Sequence, residues 1–308
     1  PFILAVIIWI FDPWRPLWVY DFKISKEMLC FGGIATLTLF FGWILHNVDQ
    51  IFIGRFLGEG SLGIYQVGYR FGMLFYLYLA APLSLVFYSA FCKMQEDLTS
   101  LKYYYFSYLR FTTLLIFPAC LMFYVLSPAA INICLDMKWH PCIPIVQLFA
   151  VFCTLVSFVA VNVELFRAVN RQDILLKVLL ARVVFTVPLL YFASKDGIVD
   201  VCRIHILASL LFLPINLFFV KKVLKWSMVE LWSPIKNSVI ILIVLISTSI
   251  LLQKYIFKIY MFSYNEILRF VSTGVILFVV YLSLLVKFEK KLIRDFFSFI
   301  NDSLSIKS

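Results

Sequence analysis

The sequence predicts an all-α fold, a polytopic transmembrane helical bundle, on three observations. It is 63% hydrophobic and only 14% charged, with a mean hydropathy of +0.97. A soluble domain is nearer half apolar and a quarter charged. The chain also contains a series of uncharged runs, each within the roughly 17–25 residues that a helical span needs. Finally, its basic residues collect in alternate connections between those runs, as membrane topology requires.

The uncharged runs cover residues 28–48, 71–92, 111–135, 141–163, 204–220, 237–253 and 270–286. A further span is expected over 174–193, where Lys177 and Arg182 interrupt the apolar pattern. These runs are continuous rather than alternating, which excludes a transmembrane β-barrel. The apolar opening, residues 1–11, is too short to cross alone and reads as the end of a helix that begins upstream. It has neither the basic start nor the small-residue cleavage site of a signal peptide. With no initiator Met, the chain is expected to be a C-terminal fragment with about eight full spans and the end of one more.

Alternate connections share a side of the membrane. One set carries Arg15, Lys23 and Lys26, then Lys93, Lys102 and Arg110, then Arg167, Arg171, Lys177 and Arg182. It continues with Lys221, Lys222, Lys225 and Lys236, and ends in the tail with Lys287, Lys290, Lys291, Arg294 and Lys307. The other set holds only Arg55, Lys138, Lys195, Arg203, Lys254, Lys258 and Arg269. The richer set is therefore expected in the cytoplasm, and the C-terminus with it. The net charge of +10 is explained by basic loops facing anionic membrane lipid, so no nucleic-acid partner is implied. The tail over 287–308 has apolar residues at helical spacing and reads either as an amphipathic surface helix or as a frayed end.

Catalytic chemistry is scarce. The seven cysteines, at 30, 92, 120, 134, 142, 153 and 202, contain no CxxC pair and read as apolar packing residues. Cys134 and Cys142 fall on the same side, close enough in sequence for a disulfide that the spacing does not demand. The three histidines, at 46, 140 and 205, are isolated from one another and from acids, so no metal site is expected. No phosphate-binding loop, nucleophile elbow or metalloprotease motif occurs, and no paired carboxylates are placed to hold a sugar nucleotide. The expectation is a protein that is not an enzyme and carries no cofactor.

Intramembrane charges are the stronger lead. Residues 47–70, NVDQIFIGRFLGEGSLGIYQVGYR, lie between two uncharged runs yet hold Asp49, Arg55, Arg70 and five glycines. The segment reads as a glycine-rich turn between two membrane helices. With the turn centred near Glu59, Asp49 and Arg70 fall at similar depth on antiparallel arms. A second hairpin turning near residues 171–173 similarly sets Glu164 level with Arg182. Each acid–base pair has two readings: a structural ion pair, or part of a polar cavity that binds anionic substrate or relays protons. Asn162 and Arg167, beside Glu164, favour a cavity in the second hairpin. Prolines 82, 118, 144, 188 and 214 fall in or near spans and predict kinks. Tyr103–Tyr105, Trp139, Trp226 and Trp232 sit near span borders as interfacial anchors.

The segment DQIFIGRFLGEGSLGIYQVGYR resembles the oligosaccharide flippases of the polysaccharide transporter group in the MOP (multidrug/oligosaccharidyl-lipid/polysaccharide) superfamily. It is most similar to the branch of colanic acid and lipopolysaccharide exporters. That family carries an Asp, then I-G-R/K-x-L-G, then L-G-x-Y-x-x-A/G-Y. Asp49, Gly54, Arg55, Leu57, Gly58, Leu62, Gly63, Tyr65 and Tyr69 occupy those positions. FYSAFCKMQED (87–97), MKWHPCIPIVQLFA (137–150), FRAVNRQDILLK (166–177) and DGIVDV (196–201) follow in the family's order. Val67-Gly68 replaces the usual small-residue pair, and Met137 stands where an acid or Gly often precedes Lys-Trp.

The resemblance implies a MATE-like second lobe over residues 28–220, between cytoplasmic linkers at 12–27 and 221–236. Two additional helices follow over 237–286, and then the tail. It further implies alternating-access export of a polyprenyl-diphosphate-linked oligosaccharide across the bacterial inner membrane. The partners implied are that lipid-linked oligosaccharide, membrane lipids and polysaccharide assembly proteins. Asp49, Arg70, Asn162, Glu164, Arg167 and Arg182 are the cavity candidates. Gly54, Arg55, Gly58, Gly63 and Tyr65 are the family-motif residues.

Overall fold

The computed structural model describes residue 9 and residues 21–259 and 266–289. Apart from residue 9, the helix end expected over 1–11 lies outside these, as does the tail from 290 onward. All regular structure among the described residues is helical. We label the helices α1 (Phe22–Gly72), α2 (Ala81–Lys93), α3 (Leu98–Phe111), α4 (Phe117–Cys134), α5 (Ile143–Ala168), α6 (Gln172–Asp196), α7 (Ile198–Leu224), α8 (Met228–Ile259) and α9 (Glu266–Phe288). Seven helical stretches among the described residues are long and apolar enough to cross a membrane. The remaining expected span, 28–48, lies within the first arm of α1. The chain is a multi-pass membrane protein.

α1 is folded on itself at Gly58, whose φ of 82° and ψ of 174° break its helical path. That backbone region is essentially reserved for glycine and strained for any side chain. The second arm starts at once, so residues 59–72 are helical and the apolar run 71–92 is only the far part of the returning span. The helix then runs through a wide π turn, Tyr76–Ala80, into α2. An equivalent π turn, Thr112–Ile116, joins α3 to α4. Each ends two residues before a proline, Pro82 and Pro118. Proline donates no N–H and crowds the preceding turn, and a wider turn absorbs both effects. Gly58→Ala is expected to cost about 1–3 kcal/mol, read as a lowered thermal midpoint of the detergent-purified protein; an unchanged midpoint would contradict the strain at this position.

Residues 22–224 pack around α5, which touches α1, α2, α4, α6 and α7. The second arm of α1 meets α5 through Gly68 and Gly72, four residues apart on one face. A Cβ on Gly68 would lie 2.5 Å from Ile145 Cγ2, and one on Gly72 would lie 2.3 Å from Phe149 Cβ. Small residues at this spacing let membrane helices approach backbone to backbone. One apolar cluster, around Ile53, Ile116, Ile145, Phe149, Leu190 and Val201, fills the end of the bundle near the Gly58 turn. A second, around Phe91, Leu101, Tyr108, Leu165, Phe212 and Leu224, fills the opposite end.

The ends are capped by local chemistry. Asp97 accepts from Thr99 N at 2.9 Å and Ser100 Oγ at 2.6 Å at the start of α3. The Ser100 bond first, and then the backbone amides, hold its carboxyl below the usual carboxylate range. Ser227 and Glu230 form a reciprocal capping box at the start of α8, with Ser227 N donating to Glu230 Oε2 at 2.6 Å and Glu230 N to Ser227 Oγ at 3.3 Å. α8 and α9 pack on α3 and α4 through Leu114, Ile241, Leu245, Leu277 and Tyr281. Polar ties reinforce that seam. Arg110 pairs with buried Glu289, Asn237 Nδ2 donates to Glu289 Oε1 at 3.0 Å, and Tyr281 donates to Leu114 O at 2.8 Å.

Candidate functional site

The folded-back α1 assembles a polar network in the middle of this apolar bundle. Asp49, on the first arm, is 3% exposed. Tyr65, on the second arm, donates its hydroxyl to Asp49 Oδ2. His205 Nε2, from α7, meets the same oxygen at 2.9 Å, and the Gln50 backbone N–H donates to Asp49 Oδ1 at 2.7 Å. The ladder extends across the hairpin with Gln66 Nε2 donating to Gln50 Oε1 at 3.1 Å and Tyr69 Oη lying 3.2 Å from His46 Nδ1. Phe152 packs on the His205 ring with centroids 5.4 Å apart. A carboxyl group taken out of water loses its hydration, and these contacts replace it.

This geometry corrects the expected Asp49–Arg70 pair. Across the hairpin Asp49 faces Tyr65, and Arg70 lies five residues further on, more than a helical turn away and exposed. It also corrects the reading of the histidines as isolated from acids, since His205 is 156 positions from Asp49 yet in hydrogen-bond contact with it. The Glu164–Arg182 pair is corrected as well. Glu164 takes Arg167 at 3.2 Å, one turn along its own helix. Arg182 instead donates to Ser209 Oγ of α7 at 3.0 Å. Asn162 accepts from Tyr105 Oη at 3.0 Å, its Nδ2 unpartnered among the described residues. Equal depth placed these residues at the same level, but the facing direction of each helix decides which of them meet.

A cleft of about 290 Å³ opens beside the network. His46 and Asp49 line it from the first arm of α1 and Tyr69 from the second. Tyr76, Arg182, Thr186 and His205 complete its polar wall. Among the candidates only Asp49 and Arg182 face this cleft; Asn162, Glu164 and Arg167 lie on α5 towards the opposite end. Of the motif residues, Gly58 makes the turn and Tyr65 holds Asp49. A Cβ at Gly54 would sit 3.3 Å from Leu62, so Gly54 lets the arms close near the turn. Gly63 has open space around it and Arg55 is exposed. Cys134 and Cys142 are both free thiols, so the disulfide that their spacing allowed is not formed.

Residues 1–144 match a family described as "Polysaccharide biosynthesis protein". The teichuronic acid biosynthesis protein TuaB of Bacillus subtilis (strain 168) is 25% identical over 161 residues, 52% of this chain and 33% of its own. The lipopolysaccharide biosynthesis protein WzxC of Escherichia coli (strain K12) is 25% identical over 246 residues, 78% of this chain and 50% of its own. The solved structure of the lipid II flippase MurJ, in an inward closed conformation, superposes with a TM-score of 0.70 at 19% identity. That match covers 94% of this chain and 60% of MurJ. The chain is similar to these proteins in sequence over part of its length and shares the fold of the solved structure. It spans a third to a half of the length of these curated relatives. The shared fold accounts for the run of antiparallel spans, and the hairpin at Gly58 is where the glycine-rich segment 47–70 and the polar network coincide.

Proposed function

We propose that this protein works as a flippase that carries polyprenyl-diphosphate-linked oligosaccharide units across the bacterial inner membrane for surface polysaccharide assembly. The observation that carries the reading is the flippase-like lobe with a charged network buried at its centre. Ionisable groups buried within a span are costly and mark candidate functional residues, as Asp49 and Arg182 are here. In this reading residues 28–220 are one rocking lobe of an alternating-access transporter, with 237–286 as two additional helices. Lipid-linked oligosaccharide and membrane lipid are its partners, and Asp49, Arg70, Asn162, Glu164, Arg167 and Arg182 are the residues that substrate or coupling would engage. Among the described residues, the bundle carries no large outer loop with clustered acids, Arg or His of the kind a polymerase or transferase would need.

The test is export in cells lacking their own flippase of this type. Expression of the complete protein should clear accumulated lipid-linked intermediate and restore surface polysaccharide. Continued accumulation with the protein correctly inserted would sink the proposal. Orientation has its own check. The basic connections are proposed to face the cytoplasm, which puts Cys134, exposed at the end of α4, on the outer side. A membrane-impermeant maleimide should label Cys134 in intact cells and lose that labelling in Cys134→Ser. Labelling that requires permeabilised cells would reverse the topology.

A further inference from the structure

α3 and the start of α8 face each other across a pocket of about 600 Å³ that shares no residue with the Asp49 cleft. Thr99, Lys102, Phe106 and Arg110 line it from α3, spaced three or four residues apart on one helical face. Ser233 and Lys236 line it from α8.

The pocket is rich in donors. Its two carboxylates are already engaged. Glu230 accepts from Lys102 Nζ at 3.4 Å and from the Ser227 backbone N–H at 2.6 Å. Glu289 accepts from Arg110 and, at 3.0 Å, from Asn237 Nδ2. Lys236 has no ion-pair partner among the described residues. Three cations against two acids leave one positive charge in excess. An ammonium carries three N–H donors and a guanidinium five, so most of the donors are unmet as well.

Three sequence borders give the depth of this pocket. Arg110 immediately precedes the uncharged run 111–135, Lys236 precedes 237–253, and Glu289 closely follows 270–286. All three stand where hydrocarbon gives way to headgroups. Tyr103 on the pocket wall and Trp232 beside Ser233 are both exposed, and amphipathic rings favour that level.

We propose that this pocket binds the headgroup of an anionic glycerophospholipid of the phosphatidylglycerol type, from the leaflet that the basic connections face. The single charge of its phosphodiester matches the excess positive charge, and the phosphate oxygens accept from Lys236, Lys102 and Arg110. The headgroup hydroxyls meet those of Thr99 and Ser233. The acyl chains continue beside Phe111 and Ile240, exposed apolar residues next along the same two helices. A zwitterionic headgroup brings its own ammonium and leaves the excess charge in place. The site deepens the membrane-lipid partnership proposed above and rests on the bundle lying in a bilayer. It does not rest on transport, so its failure would leave the flippase reading standing.

A headgroup held by both walls fastens α8 to α3, so binding is read as stability. The experiment is a thermal-unfolding titration of the detergent-purified 308-residue protein with dioleoyl phosphatidylglycerol in mixed micelles. Dioleoyl phosphatidylcholine and inorganic phosphate, at equal ionic strength, are the comparison probes. The expected result is a saturable rise in midpoint with phosphatidylglycerol and little with either of the others. Lys236→Gln, which breaks no contact of the protein, should weaken the apparent affinity about tenfold, one charge-assisted hydrogen bond. Ser233→Glu, at an exposed position, sets a carboxylate against the phosphate and should abolish the rise. Lys222→Gln, the same charge change outside the pocket, should keep wild-type affinity. An equal rise with phosphatidylcholine would reduce the effect to general lipid solvation, and an equal rise with inorganic phosphate would remove the lipid as the ligand. The proposal is equally overturned by a midpoint indifferent to phosphatidylglycerol, or by wild-type affinity in both Lys236→Gln and Ser233→Glu.

Discussion

Under the proposed flippase activity, Asp49→Asn is expected to reduce lipid-linked oligosaccharide export by at least about tenfold while the protein still inserts. The carboxylate meets three groups, the Tyr65 hydroxyl, His205 Nε2 and the Gln50 backbone N–H. An amide offers one oxygen and two donor hydrogens in that space. The Tyr65 hydroxyl and His205 Nε2 must then turn from the carboxylate-facing arrangement to accept from the amide or lose their bond, and a buried unmade bond costs about 1–3 kcal/mol. The network ties both arms of α1 to α7, so it favours whichever arrangement of the lobe allows all three contacts. Losing about 1.5–3 kcal/mol of charge-assisted bonding from one conformer shifts its balance with the other by roughly 10- to 150-fold.

The same substitution lowers stability, so a second variant separates the two effects. Asp49→Asn with Tyr65→Phe removes the hydroxyl that the amide would have to re-pair, and is expected to recover most of the lost thermal midpoint. Export should stay low, because the negative charge is still missing. Recovery of export in step with stability would make Asp49 a purely structural residue and remove it from the transport cycle.

The spans were legible because a hydrocarbon-length run without charge, in a chain this apolar, has little use except to cross a bilayer. The Gly58 turn was legible within a residue of where the glycines and Glu59 centred it. What the sequence did not reveal was the direction each helix faces. Counting from the turn gives a residue's depth and leaves its rotation about the helix axis open. For this reason Asp49 was matched by depth to Arg70 when it faces Tyr65, and Arg182 to Glu164 when it faces Ser209. His205 was invisible for a different reason, since its contact joins α7 to α1 across 156 positions and leaves no local pattern in the sequence. Its one local signal was an imidazole inside an otherwise uncharged span, which has a cost that a surface histidine does not. The Gly68-x-x-x-Gly72 spacing was present in the sequence as well, but only the fold names α5 as the surface it meets.

The largest loss of stability is expected at Gly72. A methyl group there would sit 2.3 Å from Phe149 Cβ and 3.0 Å from Val146 O. Neither neighbour is the tip of a flexible side chain, so relief requires α1 and α5 to separate. Gly→Ala in an open helical position stabilises by up to about 1 kcal/mol, whereas forced overpacking costs about 1–3 kcal/mol and occasionally more. At Gly72 the second term wins, and Gly72→Ala should lower the thermal midpoint or leave little folded protein. At Gly63, where nothing lies within 4 Å, the first term is unopposed and Gly63→Ala should be neutral or stabilising. A third variant locates the clash. Trimming Phe149 to Ala keeps the Cβ that Gly72→Ala meets, so adding Phe149→Ala should bring no rescue and should add a cavity cost of its own, about 3–5 kcal/mol. A Gly72→Ala protein as stable as wild type, or a double variant more stable than the single, would show that the arms of α1 do not approach α5 backbone to backbone. The hairpin that carries Asp49 would then owe its position to the polar network alone.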